Sequence, residues 1–305
     1  MTKLRIGTCS WKFPSWHGLV YSAPKGINYL EEYARRYNTV EIDQWFWSLF
    51  GQDKVKLPRP TDADVGRASA DIGRASVAEY RAAVPDDFRF TVKAPNSVTL
   101  THFYKRAKAD PLVANPYVFS PALFQQFLSL LAPLHDLLGP IMFQFEYLNR
   151  QKMPTQERFL ALFEAFARQL PEAHQCAVET RNPKYLNRSF FEFLDRNGLS
   201  PVLLQGYWMP PIADVYQEWQ AAILQHEVIV IRLLGPDRKG IEKVTQKRWN
   251  QIVAPRDEEL AQVVEIVQDL LAQGVNVYLN VNNHYEGSAP LTIERIERLI
   301  GGEIP

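Results

Sequence analysis

The stretch "CAVETRNPKYL", residues 176–186, decides how this chain is read. It opens as a buried strand with Cys176, Ala177 and Val178, then sets a carboxylate at Glu179 and a guanidinium at Arg181. Side chains two residues apart on a strand point the same way. The face that takes Ala177 therefore also takes Glu179 and Arg181, and a core strand ends by aiming two opposite charges at one place.

Seven further runs share this character: "LRIGT" (4–8), "TVEID" (39–43), "RFTVK" (89–93), "IMFQF" (141–145), "PVLLQ" (201–205), "VIVIR" (228–232) and "VNVYLN" (275–280). They are rich in Val, Ile, Leu and Phe, as parallel strands buried on both faces are. A helix-like segment follows each. Leu30, Tyr33, Ala34 and Tyr37 fall at helical spacing, as do Phe159, Leu162, Phe163 and Phe166. Asn28 with Glu31, Ser189 with Glu192, and Asp214 with Gln217 resemble capping boxes. Ser120 before Pro121 marks another helix start, and Gly274 a helix end. Eight such alternations predict an α/β fold, a single (β/α)₈ TIM-like barrel spanning 1–305. A doubly wound sheet is the alternative, set aside because no G-x-G-x-x-G follows the first strand.

Two connections are long, 51–75 and 94–119. The first contains the imperfect repeat "GRASADIGRAS" and is expected to be a mobile loop. Both follow strands, on the face where barrels carry their sites, so lids or binding loops are the expectation.

The chain has 305 residues, 46% hydrophobic and 22% charged, with 34 Lys plus Arg against 34 Asp plus Glu. Such a balance supplies no global pull toward nucleic acid or acidic membranes. No apolar run nears membrane-spanning length and the opening "MTKLRIGTCSW" lacks a signal-like apolar stretch, so a cytoplasmic protein with no membrane partner is expected. Two cysteines, Cys9 and Cys176, argue against a disulfide scaffold or a structural zinc site.

Parity applied to the other strands places Glu41 and Asp43, Thr91 and Lys93, Met142 and Gln144, Arg232, and Tyr278, Asn280 and Asn282 inward, with Gln205 the polar end of strand six. The polar member comes last each time. Acids (Glu41, Asp43, Glu146, Glu179) and bases (Lys93, Arg181, Arg232) nearly balance, as desolvated ions must. A ligand site and a self-satisfied salt-bridge network closing the barrel both give this list. Six of seven tryptophans, with Tyr207 among other aromatics, lie in segments after strands, which suits a ligand with flat faces and polar edges. Residues 232–250 carry Arg232, Arg238, Lys239, Lys243, Lys247 and Arg248, in the region where barrels often hold phosphate. No histidine spacing supports a metal, and there is no G-x-S-x-G elbow or P-loop.

"GTCSWKFPSWHGLVYS" (7–22), "NTVEIDQWFW" (38–47), "FTVKAP" (90–95) with Thr101 and His102, "GPIMFQF" (139–145), "ETRNPKY" (179–185), "RLLG" (232–235) and "NNHYEGSAP" (282–290) together resemble the YecE-like family, domain of unknown function 72. The resemblance implies a TIM-like barrel with a pocket at its carboxyl end, and no established reaction. Trp11, Glu41, Lys93, Glu179, Arg181, Arg232, Asn282 and Asn283 fall on positions the family pattern favours. The chain departs from that pattern at Asp43 and Trp47, at Glu146, and at Val230 and Leu234, where the family carries Tyr and His.

The expectation is a charged, aromatic-rimmed pocket for a small polar or anionic ligand, sugar- or phosphate-containing, with hydrolase- or isomerase-like acid–base chemistry. Glu179, Lys93 and Glu41 are the catalytic candidates. Arg181, Arg232, Trp11, Asp43, Gln144, Asn282, Asn283 and His284 are the ligand-binding candidates. No metal and no particular cofactor is assigned. The alternatives are a barrel binding or processing single-stranded nucleic acid, which net neutrality disfavours, and a non-catalytic ligand sensor.

Overall fold

The computed structural model describes residues 3–43, 76–105, 107 and 109–301. The expected loop 51–75, and Trp45 and Trp47 with it, lies outside them. Eight parallel strands, β1 (Leu4–Thr8), β2 (Thr39–Ile42), β3 (Arg89–Lys93), β4 (Leu138–Gln144), β5 (Cys176–Glu179), β6 (Leu199–Gly206), β7 (Val228–Gly235) and β8 (Asn276–Val281), pair in sequence order and close, β1 against β8. The helices are α1 (Tyr29–Ala34), α2 (76–82), α3 (Asn96–Thr99), α4 (Pro121–Leu130), α5 (Gln156–Ala167), α6 (Arg188–Arg196), α7 (Ile212–Ile223), α8 (Arg238–Thr245), α9 (Asp257–Ala272) and α10 (Ala289–Ile300). This is the TIM-like barrel that the alternation predicts. No described helix is long and apolar enough to cross a membrane.

Two apolar cores follow from strand parity. Outward residues such as Val40, Phe90, Phe143, Ile231 and Leu279 pack with the helices' apolar stripes, including Phe159 and Phe163 of α5 and Val263 and Val267 of α9. Inward residues Met142, Ala177, Val202, Val228, Val230 and Tyr278 fill the lower barrel. The caps agree in part. Asn28 accepts from Leu30 and Glu31 N–H, and Ser120 from Leu123 N–H. However, α6 is capped by Asn187 rather than Ser189. Helix α7 begins at Ile212, whose N–H is taken by Gln205 Oε1 at 2.9 Å rather than by a local Asp214 box.

That contact goes with the face that Leu203 and Gln205 share. Val202 and Leu204 pair in register with Val230 and Arg232, so Leu203 and Gln205 face outward. Gln205 spends its amide on Glu259 of α9, 2.8 Å away. The connection 94–119 is packed onto itself: Asn115 donates to the carbonyls of Ser97 and Leu100, and Phe119 joins the Phe145–Phe159–Phe163 cluster.

Closure leaves β1 little room beside β2. A Cβ on Gly7 would sit 2.0 Å from the Thr39 carbonyl oxygen, a backbone atom that cannot swing aside. Gly7→Ala is therefore expected to destabilise by about 1–3 kcal/mol, the usual cost of overpacking. A urea midpoint equal to that of the wild type would show that the seam is looser than this.

Candidate functional site

Arg232 stands on the inward face of β7 above Val228 and Val230, beside Asn280 of β8 in register. It is the hub of the barrel mouth. Its Nε donates to Glu41 Oε2 and its Nη2 to Glu41 Oε1, each at 2.7 Å, a bidentate pairing. Nη1 donates to Glu179 Oε2 and, at 3.3 Å, to Gln144 Oε1. Nη2 also points toward Cys9 Sγ at 4.0 Å. A guanidinium has five N–H donors, and all five are directed within the protein.

The two carboxylates carry a second tier of cations. Glu179 Oε1 accepts from Arg181 Nε at 2.5 Å, and Glu41 Oε1 lies 3.3 Å from Lys93 Nζ. Asn280 Nδ2 donates to Thr91 Oγ1 at 3.0 Å and reaches Glu41 Oε2 at 3.4 Å. The opening pair in "CAVETRNPKYL" is thus one link of a chain: Lys93–Glu41–Arg232–Glu179–Arg181. Its members come from β2, β3, β5 and β7 and from the residue two past the end of β5.

Burial orders this chain. The side chains of Glu41, Glu179 and Arg232 are 0%, 1% and 2% exposed, against 12% for Lys93 and 19% for Arg181. The members of this chain that reach toward solvent, Lys93 and Arg181, are its cations. Asp43, half-buried, interacts electrostatically with Lys93, Glu41 and Arg232.

The proton affinities follow. Burial pushes the Glu179 carboxyl up, but Arg181, Arg232 and Lys93 outweigh it and hold the group at about 2. Glu41 is likewise lowered, burial being outweighed by Arg232 and Lys93. Burial of Arg232 opposes its charge, yet Glu179 and Glu41 drive its pKa well above the usual value. Asp43 goes the other way: burial raises its carboxyl, and Lys93 only partly offsets that. Burial likewise raises the Cys9 thiol, so no reactive thiolate stands here.

Of the residues expected at the site, Glu41, Lys93, Gln144, Glu179, Arg181 and Arg232 meet in one network, with Asp43 at its edge. Four others take local roles. Trp11 is buried edge-on against Tyr80, with centroids 5.1 Å apart, and its carbonyl accepts from Tyr21 OH. Asn283 Oδ1 accepts from Ala289 N–H at 2.9 Å, bracing the start of α10. Asn282 Oδ1 turns back on His284, 3.0 Å from its N and 2.5 Å from its Nδ1. His284 Nε2 reaches Glu242 of α8 at 3.1 Å and its ring meets Trp249. Strand β8 ends at Val281, so its alternation does not extend to these residues. Glu146 pairs with Lys152 at 2.6 Å, not with the network. Arg232, expected to hold an anion, has no donor left to offer.

The rim contributes one contact that parity does not reveal. The Arg181 guanidinium lies over the Tyr207 ring, 4.5 Å from its centroid, a cation–π arrangement that reaches across from the β5 loop to the β6 loop. The signal for it was only the position of Tyr207 just past a strand. Among the described residues, no group of three or more His, Cys, Asp or Glu could hold a metal ion.

The model of the family described as "Protein of unknown function DUF72" matches residues 5–57 and 70–304. The UPF0759 protein YecE of Escherichia coli K12 is 25% identical over 297 residues, covering 87% of this chain and 90% of that protein. Among solved structures, a DUF72 family protein from Enterococcus faecalis V583 superposes with a TM-score of 0.66 at 19% identity, covering 99% of this chain and 97% of that one. Another from Thermotoga maritima MSB8 gives 0.65 at 20% identity, covering 98% and 99%. These two likenesses establish the fold.

Proposed function

The chain belongs to the DUF72 family, a family of unknown function, and on that premise we propose that it binds a small anionic ligand at the barrel mouth, with Lys93 and Arg181 as the ligand-facing cations. One observation carries this reading: exposure rises from the saturated Arg232 through Lys93 to Arg181, while Glu41 and Glu179 stay beneath. A partly desolvated cation attracts an anion several-fold more strongly than one in bulk water. The face is also the one on which barrels of this architecture work.

The chemistry that fits is acid–base chemistry of the hydrolase or isomerase kind on a phosphate- or carboxylate-bearing substrate. Lys93 and Arg181 stabilise negative charge as it develops. Glu179 and Glu41 are ionised at neutral pH with their oxygens already engaged, which makes them positioning groups for the cations. Proton transfer falls to Asp43, the carboxyl at the edge of the network, partly exposed and beside Lys93, whose charged form burial disfavours. A ligand sensor uses the same contacts, and the self-neutralised network underneath supports that second reading. Binding without turnover separates the two.

Lys93→Met and Arg181→Met are each expected to weaken inorganic phosphate binding by about 10- to 100-fold in calorimetry, the worth of one charged hydrogen bond. Wild-type protein that ignores phosphate, or variants that bind it equally well, overturns the reading.

A further inference from the structure

The β6–α7 turn holds a second feature at the mouth. Gly206 lies so close to β7 that a Cβ there would meet the Gly235 carbonyl oxygen at 2.5 Å. Tyr207 N–H donates to that same carbonyl at 3.0 Å and adopts φ 54, a left-handed conformation rare for a tyrosine. Its ring is held under the Arg181 guanidinium. The next residue, Trp208, is 88% exposed. Singly exposed aromatics are ordinary on protein surfaces. This one differs in its setting, because it follows directly on a residue locked to the charged network and its indole is left open to solvent. Arg238, at the start of α8, borders the same place: it pairs with Glu242 at 2.7 Å and interacts electrostatically with Tyr207 and Asp43.

We propose that Trp208, positioned by its neighbour Tyr207, is a stacking platform for the flat ring of a heteroaromatic phosphomonoester whose phosphate lies on Lys93 and Arg181. The proposal rests on the anion-binding reading above and adds the ligand's second half. Arg181 joins the two halves, since it contacts both the network through Glu179 and the platform through Tyr207. An anionic group and a flat ring on neighbouring parts of one molecule match that arrangement. A heteroaromatic ring presents a π-face to the indole whatever its edge substituents, and stacking of this kind is worth a substantial factor in affinity.

The test compares three probes by calorimetry: inorganic phosphate, ribose 5-phosphate and adenosine 5′-monophosphate. The monophosphate is expected to bind about 5- to 150-fold more tightly than ribose 5-phosphate, the range for one stacked base. Trp208→Ala should erase that margin while leaving the affinities for phosphate and ribose 5-phosphate unchanged, and Trp208→Phe should keep most of it. The exposure of Trp208 makes both variants safe for folding. If ribose 5-phosphate and the monophosphate bind equally, or if the margin survives in Trp208→Ala, the platform is refuted and the anion site stands. If the wild type binds none of the three, the anion reading fails and takes the platform with it.

Discussion

Arg232→Met is expected to destabilise the protein by about 3–5 kcal/mol, the cost of breaking a buried ion pair from one side. The substitution keeps a long side chain in the barrel, so cavity formation contributes little. What it removes is the counter-charge between Glu41 and Glu179, which are 0% and 1% exposed. Lys93 and Arg181 each neutralise one carboxylate from the solvent side, yet both oxygens of Glu41 and one of Glu179 lose charged partners. A triple replacement, Glu41→Met, Glu179→Met and Arg232→Met, should be less destabilising than Arg232→Met alone, because apolar residues of similar volume need no neutralisation. Chemical denaturation midpoints read both. A single variant within about 0.5 kcal/mol of the wild type would mean that water reaches the carboxylates, and the description of the network as sealed would be wrong.

Acid should unfold the protein through the same groups. Glu179 has a folded pKa of about 2 against an ordinary 4.5. A depressed carboxyl contributes stability that is complete above its unfolded pKa and is lost as pH falls through the folded one. For Glu179 that window runs from about 4.5 down to about 2, and the loss is roughly 3 kcal/mol. Glu41 acts in the same direction. Asp43 and Glu286, both raised by burial, act oppositely: their contribution is present at low pH and is lost as pH rises through their folded values. The diagnostic is therefore the difference between the wild type and Glu179→Gln. The variant, already weaker at pH 7 because Arg181 and Arg232 lose a carboxylate, should lose less further stability between pH 5 and 3. Parallel curves over that interval would remove Glu179 from the acid-sensitive set.

Much of this was legible in the chain. Strand parity placed Glu41, Lys93, Gln144, Glu179 and Arg232 inward, and the network contains all of them. For β6 it gave only that Leu203 and Gln205 share a face, because "PVLLQ" is apolar throughout except at its end, and a uniformly apolar strand carries no alternation from which to read which face is inward. The register of β6 against β7 settles that face. Parity went too far at Asn282, where alternation was carried past the end of β8 into a turn, while Asn283 rested on the family resemblance rather than on parity. Trp11 shows the limit of counting aromatics: a tryptophan after a strand packs against a helix as readily as it lines a mouth.

The sequence by itself determined the barrel, through eight strand–helix alternations, and most of the inward-facing list, through the period of two built into an extended backbone, because both are patterns among neighbouring residues. Only the tertiary structure decided which charge neutralises which. Arg232 and Glu41 are 191 residues apart, and Arg232 and Glu179 are 53 apart. Closure of β8 on β1 brings the ring of strand ends together, and the choice of a saturated Arg232 beneath, with Lys93 and Arg181 facing out, is made by side-chain reach and burial across that closed ring. No local pattern records distances of that kind, so the candidate site is a property of closure rather than of any one stretch.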